Sequence, residues 1–241
     1  MKFTNRIFNR IHWYFIETTQ KVDFLISKTL GYIQGVAIGK KCKFYGIPHF
    51  EIGNGGSIII GDNCIFRSRQ TNNRIGLNHR CIISATPLPN LTCKIEIGEN
   101  CGFSGTSIWC FKSIKIGKNV RCGANTLIMD GDAHYEDCRT TPPLSIVIED
   151  NVFLGANVTV KKGVTIGANS IIGMNSVVTH DIPANSIAVG IPCKVIRKIE
   201  TKLYENNIFP KSFLTYTVYC QLNEGTADTH HINELLWVIR G

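Results

Sequence analysis

A chain of 241 residues with 44% hydrophobic content can bury one sizeable core, and its length favours one domain with appendages. The net charge of +8 is scattered in short pairs such as Lys40-Lys41 and Lys161-Lys162, which argues against nucleic acid as a partner. The ten cysteines form no C-x-x-C pair, and Cys64, Cys81, Cys101 and Cys122 sit among apolar neighbours, which predicts reduced thiols in a cytoplasmic protein.

Residues 1–35 read as a helical cap. Phe3, Ile7, Phe8, Ile11, Tyr14 and Phe15 recur at three and four, with Lys2, Arg6 and Arg10 on other faces. Charges every few residues interrupt the apolar run, so a signal peptide is not expected here. Two roles fit such a helix: covering the end of a core, or peripheral contact with the inner face of a membrane. No apolar run is long enough to span one.

From residue 36 the chain counts in sixes. The count is clearest at Ile148, Leu154, Val160, Ile166, Ile172 and Val178, preceded two positions earlier by Ile146, Val152, Val158, Val164, Ser170 and Ser176. Two inward side chains separated by one outward describe a very short strand. Three positions after each aliphatic stand Asn151, Asn157, Gly163, Asn169, Asn175 and Asp181, residue types that suit a tight corner. A helix fails, because a period of six keeps no single face at about 3.6 residues per turn. Stacked corners of a solenoid satisfy the pattern, since each turn covers its neighbour's edge. The same grammar places Ile38 and Phe44, Ile60 and Phe66 with Asn63, Ile75 and Cys81 with Asn78, and Ile97 and Phe103 with Asn100. Ile116, Cys122 and Ile128 continue it, with Asn119 and Asn125 at their corners. Coils of three hexads are therefore expected to begin near residues 38, 60, 75, 97, 116, 148 and 166.

Between Ile128 and Ile146 the count stops, which predicts a loop expelled at about 129–145. It opens "MDGDAHYED", a single histidine among four acids. His134 has the chemistry of a general base for a hydroxyl, because an imidazole with a pKa of about 6.5 can take the proton and return it to a leaving group. A carboxylate would fix its tautomer; Asp132 is favoured, with Asp130, Glu136 or a residue of another coil as alternatives. A solvated loop of no function is the plain alternative. A metal site lacks a second histidine at ligand spacing, and none is expected. His79 reads as a surface residue beside a corner, and His49, His230 and His231 have no predicted partners. Residues 200–241 leave the hexad grammar; "SFLTYTVYCQL" and "NELLWVIR" suggest a packed C-terminal extension.

"IGANSIIGMNSVVTHDIPANSIAVGIPCKVIRKI", residues 166–199, resembles the closing segment of hexapeptide-repeat acyltransferases, most of all the O-acetyltransferases of sugars, xenobiotics, capsule and O-antigen. The resemblance implies a mainly β fold, a left-handed parallel β-helix over 36–199, between the helical N-terminal cap and the C-terminal extension. It implies a homotrimer with sites between subunits, and a loop histidine, here His134, carried into a neighbour's cleft. It implies acetyl-CoA as donor, with Gly155 and Ala156 beside its thiol end, Gly173 and Met174 further along and Thr179 beyond, where His180 also lies. Phe153 stands where the family commonly has tryptophan, and Met174 is bulkier than the usual residue. Lys194, Arg197 and Lys198 are positioned for the nucleotide phosphates. Asn125 is a candidate oxyanion donor by nearness alone. The acceptor implied is a sugar hydroxyl in a cell-surface polysaccharide or its precursor. An amino-sugar N-acetyltransferase and a non-catalytic β-helix scaffold are the competing readings.

Overall fold

The computed structural model describes residues 2–199 apart from Arg74 and Tyr135, with side chains from Thr18 onward. A 32-residue helix, α1 (Lys2–Ile33), precedes a coil of short strands that returns repeatedly through three sheets. The first sheet stacks Ala37–Ile38, Gly56–Ile60, Cys93–Ile97, Ser113–Ile116, Ile146–Ile148 and Thr165–Ile166. The second stacks Lys43–Tyr45, Ile65–Arg67, Gly102–Ser104, Arg121–Ala124, Phe153–Leu154 and Ile171–Ile172, and ends with Ser186–Val189 and Lys194–Lys198. The third stacks His49–Ile52, Ile82–Ala85, Ser107–Cys110, Leu127–Met129, Thr159–Val160 and Val177–Val178. Neighbouring strands are parallel throughout, except that Lys194–Lys198 closes the second sheet antiparallel to Ser186–Val189.

This is the solenoid that the sixfold count describes. All twelve residues of the inward pairs from Ile146 to Val178 are buried, including Ser170 and Ser176. Phe44, Phe66 and Phe103 stack ring on ring at 5.3 and 5.1 Å, each fully buried on its own coil. The nine described cysteines are unpaired and eight of them are buried. Burial raises the pKa of the Cys81 and Cys122 thiols, so they fill the core as small neutral groups.

The corners carry the turn in left-handed backbone. Asn63, Asn100, Asn119, Asn125, Asn151, Asn157, Asn169 and Asn175 have φ between 57° and 61°, and Gly163 has φ 80°. Asparagine tolerates this region and adds a bond along the coil axis. Between the first and second sheets the amides of Asn119, Asn151, Asn169 and Asn185 form a ladder with steps of 3.0, 3.0 and 2.9 Å. Between the second and third, Asn125, Asn157 and Asn175 form another, at 3.4 and 3.0 Å.

Two expected corners and one expected coil differ. Asp181 is not among the described left-handed residues; its Oδ1 instead accepts the Thr165 N–H, and Asn185 takes the ladder position. Ile75 is 65% exposed and Asn78 is not left-handed, so no coil begins at residue 75. The strand ending at Ile60 pairs directly with the one ending at Ile97, and residues 68–80 are a second expelled segment, with Cys81 back in the core. An exposed stretch can repeat the residue types of a hexad without any neighbour to stack on. Ile116 pairs with Ile148 across the later break in the count, with residues 130–145 outside the strands. The segments "SFLTYTVYCQL" and "NELLWVIR", with His230 and His231, lie outside the described residues. No helix among the described residues is long and apolar enough to cross a membrane.

The corners allow a direct test. Asn151→Ala should destabilise the protein by about 1–2 kcal/mol through the left-handed penalty and lost ladder bonds, and Asn151→Gly by less, because glycine keeps the backbone free. Urea unfolding of the three proteins should rank wild type, Gly, Ala.

Candidate active site

The expelled loop is fixed at its root from two sides. On one side Asp130 is completely buried, and its carboxylate accepts the N–H groups of Phe111 at 2.6 Å, Lys112 at 2.9 Å and Ser113 at 2.7 Å. These donors form the tight corner of the preceding coil, between Ser107–Cys110 and Ser113–Ile116. Gly131 follows against Phe111; a Cβ there would meet the ring at 2.6 Å. On the other side Lys162, from the next coil, bonds Asp132 Oδ2 at 2.5 Å and the Thr141 carbonyl at 2.7 Å. The Gly163 N–H donates to the Leu144 carbonyl at 2.9 Å. The loop thus leaves and re-enters between two held coils.

His134 stands exposed at the tip, over an open depression of about 420 Å³ lined by Ala133, His134, Glu136 and Asp137. Its carbonyl accepts the Asp137 N–H at 3.0 Å, and Asp137 pairs with Arg139 at 2.5 Å. Among the described residues no carboxylate is hydrogen-bonded to the His134 ring. Asp132, expected to orient it, is held by Lys162 and so serves the loop's root; Asp130, the alternative, is spent on three backbone donors. The Lys162 ammonium keeps the Asp132 carboxyl below its ordinary pKa.

Asn125 also has another task. Its Oδ1 accepts the Asn78 N–H at 2.8 Å and its Nδ2 reaches Asn157, so the amide expected to hold an oxyanion belongs to the corner ladder. That bond instead pins the second expelled segment to the coil. His79, in that segment, is exposed, and its Nδ1 lies 2.8 Å from the Arg80 carbonyl.

The expected cofactor residues fall into two groups. Gly155, Ala156, Gly173 and Met174 gather on successive coils at the corner between the second and third sheets. Gly155 lies under the backbone of Met174, where a Cβ would come within 2.6 Å of its nitrogen. Gly123 lies under Ala156 in the same way. The N–H groups of Ala156 and Met174 have no partner among the described residues. At the corner between the first and second sheets, the equivalent N–H groups of Lys40, Lys118 and Ala168 are capped by Asp62, Asp150 and Glu149 at 2.7, 2.7 and 2.8 Å. Carboxylates thus cap three N–H groups at the first corner, whereas those of Ala156 and Met174 at the other, open corner have no such cap. Phe153 is half-buried on the second sheet, between Arg121 and Ile171 in register. Met174 is 47% exposed. Thr179 Oγ1 lies 2.8 Å from His180 Nδ1. Lys194, Arg197 and Lys198 are exposed on the closing strand, with Lys198 Nζ 3.2 Å from Ser186 Oγ. No group of three or more metal-ligating side chains is assembled among the described residues.

The repeat itself has a family. Residues 145–180 match the model described as the hexapeptide repeat of succinyl-transferase. That segment is thus similar to the hexapeptide repeats of acyltransferases, and O-acetyltransferases stand among the chain's partial matches. Among curated proteins, galactoside O-acetyltransferase of Escherichia coli (strain K12) is 42% identical over 114 residues, 45% of this chain and 56% of that one. The putative lipopolysaccharide biosynthesis O-acetyl transferase WbbJ of the same strain is 46% identical over 71 residues, 29% of this chain and 36% of that one. The chain spans about half the length of the curated relatives it matches, or less. Among solved structures, the S84A mutant of AntD, an N-acyltransferase from Bacillus cereus, superposes with a TM-score of 0.55 at 16% identity, covering 72% of this chain and 89% of that one. At that identity the likeness is one of fold: the left-handed parallel β-helix of these acyltransferases, with an N-terminal helix.

The root of the loop makes two predictions. Asp130→Ala takes the acceptor from three backbone donors, one buried and two partly buried, and should cost about 2–3 kcal/mol in urea unfolding. The Asp132 contact has a depressed carboxyl pKa, so its stabilisation is full at neutral pH and is lost only as pH falls below the ordinary aspartate value of about 3.9. With the carboxylate partly exposed it is worth at most about 1 kcal/mol. Lys162→Met should raise hydrogen exchange across residues 130–145 at pH 7 and leave an acid-unfolding curve without that contribution.

Proposed function

We propose that this protein transfers an acetyl group from acetyl-CoA to a hydroxyl of a sugar, within a cell-surface polysaccharide or its precursor. The observation that carries the reading is the loop itself. It interrupts an otherwise regular coil, is anchored at both ends, and presents one imidazole on its exposed tip. A hydroxyl is not ionised at neutral pH, and a base at its proton makes the oxygen a nucleophile. In the proposed reaction His134 takes that proton as the oxygen attacks the thioester carbonyl. The tetrahedral intermediate then expels CoA as a thiolate, and the imidazolium returns the proton to the sulfur. An oxyanion donor is still required, and a backbone N–H is the better source here, since the Asn125 amide is engaged.

The open corner suits the donor. The pantetheine arm carries amides, and the unpartnered N–H groups of Ala156 and Met174 can meet carbonyl oxygens where Gly155 and Gly173 keep the surface shallow. Thr179 lies further along the same path, and Lys194, Arg197 and Lys198 supply cations for the phosphates. Phe153 would form the aromatic wall. We place the sites between the subunits of a homotrimer, because His134 and the open corner leave the coil at different edges. Unpaired thiols and the use of acetyl-CoA both suit the cytoplasm.

A non-catalytic scaffold is favoured by one feature, the exposed Met174 side chain standing over the proposed groove. CoA release from acetyl-CoA across a panel of sugars, amino sugars and capsular fragments separates the readings. Wild type should turn over, and His134→Ala should lose at least about a hundredfold in rate while still binding acetyl-CoA. Equal turnover in the two would remove His134 from the mechanism. Silence from both, with acetyl-CoA bound, would favour the scaffold, and turnover confined to amino sugars would mean N-acetylation.

A further inference from the structure

The helix α1 has two opposed faces, and the coil uses only one. Asp23, Ser27 and Gly31, four residues apart, are buried against the first coil. A Cβ on Gly31 would meet Ile38 at 2.6 Å, so the packing there is close. The Asp23 carboxylate accepts two bonds from Arg69 Nη2, at 2.8 and 2.9 Å, and the Gly46 N–H at 2.7 Å. Rolling the helix would strand this buried charge, so its rotation is fixed. The opposite face is thereby turned outward. On it Val22 is 55% exposed, Leu25 66%, Tyr32 83% and Ile33 71%. These positions lie roughly 120–160° around the helix from the centre of the Asp23, Ser27 and Gly31 stripe. In the sequence, the spacing of Ile7, Phe8, Ile11 and Phe15 is in phase with them.

We propose that this outer stripe of α1 docks on an anionic lipid surface. Charge selects that occupant over a second copy of the chain. Lys2, Arg6, Arg10, Lys21 and Lys28 against Glu17 and Asp23 give the helix a charge of +3, and Asp23 is already matched internally by Arg69. Two such helices would repel each other along the stripe, whereas an anionic surface attracts both the basic residues and the apolar face. Lys28 lies beside the stripe, its ammonium 5.7 Å from the Phe24 ring centre. Tyr32 places an amphipathic ring near the end of the helix, as suits a headgroup layer. The helix therefore lies on the bilayer rather than crossing it. Resting on the acetyltransfer reading, this also narrows the acceptor to glycans carried on lipid.

The test is co-sedimentation of the full chain with vesicles of phosphatidylcholine alone or mixed equally with phosphatidylglycerol. The mixed vesicles should be bound and the neutral ones hardly at all, with binding weakened by salt. Leu25→Glu with Tyr32→Glu, both at exposed positions, should lower the affinity at least about tenfold with the circular dichroism unchanged. No binding to mixed vesicles, as when residues 200–241 cover the stripe, would overturn the proposal. So would equal binding by the variant, or a fall in its native mass that marked the stripe as a contact between copies. Vesicle binding needs no turnover, so a chain that docks without transferring acetyl groups would keep this inference and lose the enzymatic one.

Discussion

The left-handed corner is the constraint on which the rest of the molecule depends. Three short strands per coil can close only if the chain turns sharply between them, and the asparagine corners at two of the three edges do so at φ values that most side chains avoid. Asparagine meets the requirement and stacks upon itself, so at two edges the cost is offset along a continuous amide ladder. The third edge has no such ladder. There the coil turns through Gly163, or through the Cys110–Ser113 corner capped by Asp130. It is also the edge from which residues 130–145 depart. An edge without an axial ladder can be opened without breaking one.

Opening the coil leaves backbone donors to be satisfied, and Asp130 does this for three of them. A neutral residue could not hold three N–H groups as strongly, because a carboxylate offers full charge to short bonds. The Lys162 ammonium then meets the next acid along the chain. Burial separates the two contacts in strength: Asp130 is enclosed, whereas Asp132 retains 38% of its side-chain exposure. The return is tied to the entry through the Leu144 N–H on the Asp130 carbonyl, and the strands on either side stay in register. The histidine inherits a fixed origin without being buried itself.

Much of this was legible in the sequence from Ile97 onward, because an inward pair every six residues has no other compact solution. The reading failed where residue types recur outside the coil. Ile75 and Asn78 satisfy the pattern by composition, yet the chain there has left the stack, and periodicity carries no information about neighbours. The partners of the carboxylates were hidden for a related reason. Asp130 and Asp132 are both close to His134 in sequence, but their partners come from other coils, at Phe111 and Lys162. The ladder that engages Asn125 is likewise formed with a residue a whole coil away. One signal was available: Lys162 precedes a left-handed glycine at the same edge as the loop, where a long cation can reach only outward.

The asymmetry between the first two corners follows from acids that the sequence does contain. Asp62, Asp150 and Glu149 follow directly after strands of the first sheet, and each turns its carboxylate onto an N–H of the corner there. After the second sheet the corresponding run is Gly155-Ala156 and Gly173-Met174, with no acid to fold back. Two of its donors consequently face outward without a cap. A carboxylate at that edge would satisfy them, as Asp62, Asp150 and Glu149 do for three donors at the other. Along one solenoid, the choice between an acid and a small residue just past a strand decides whether a corner N–H is capped.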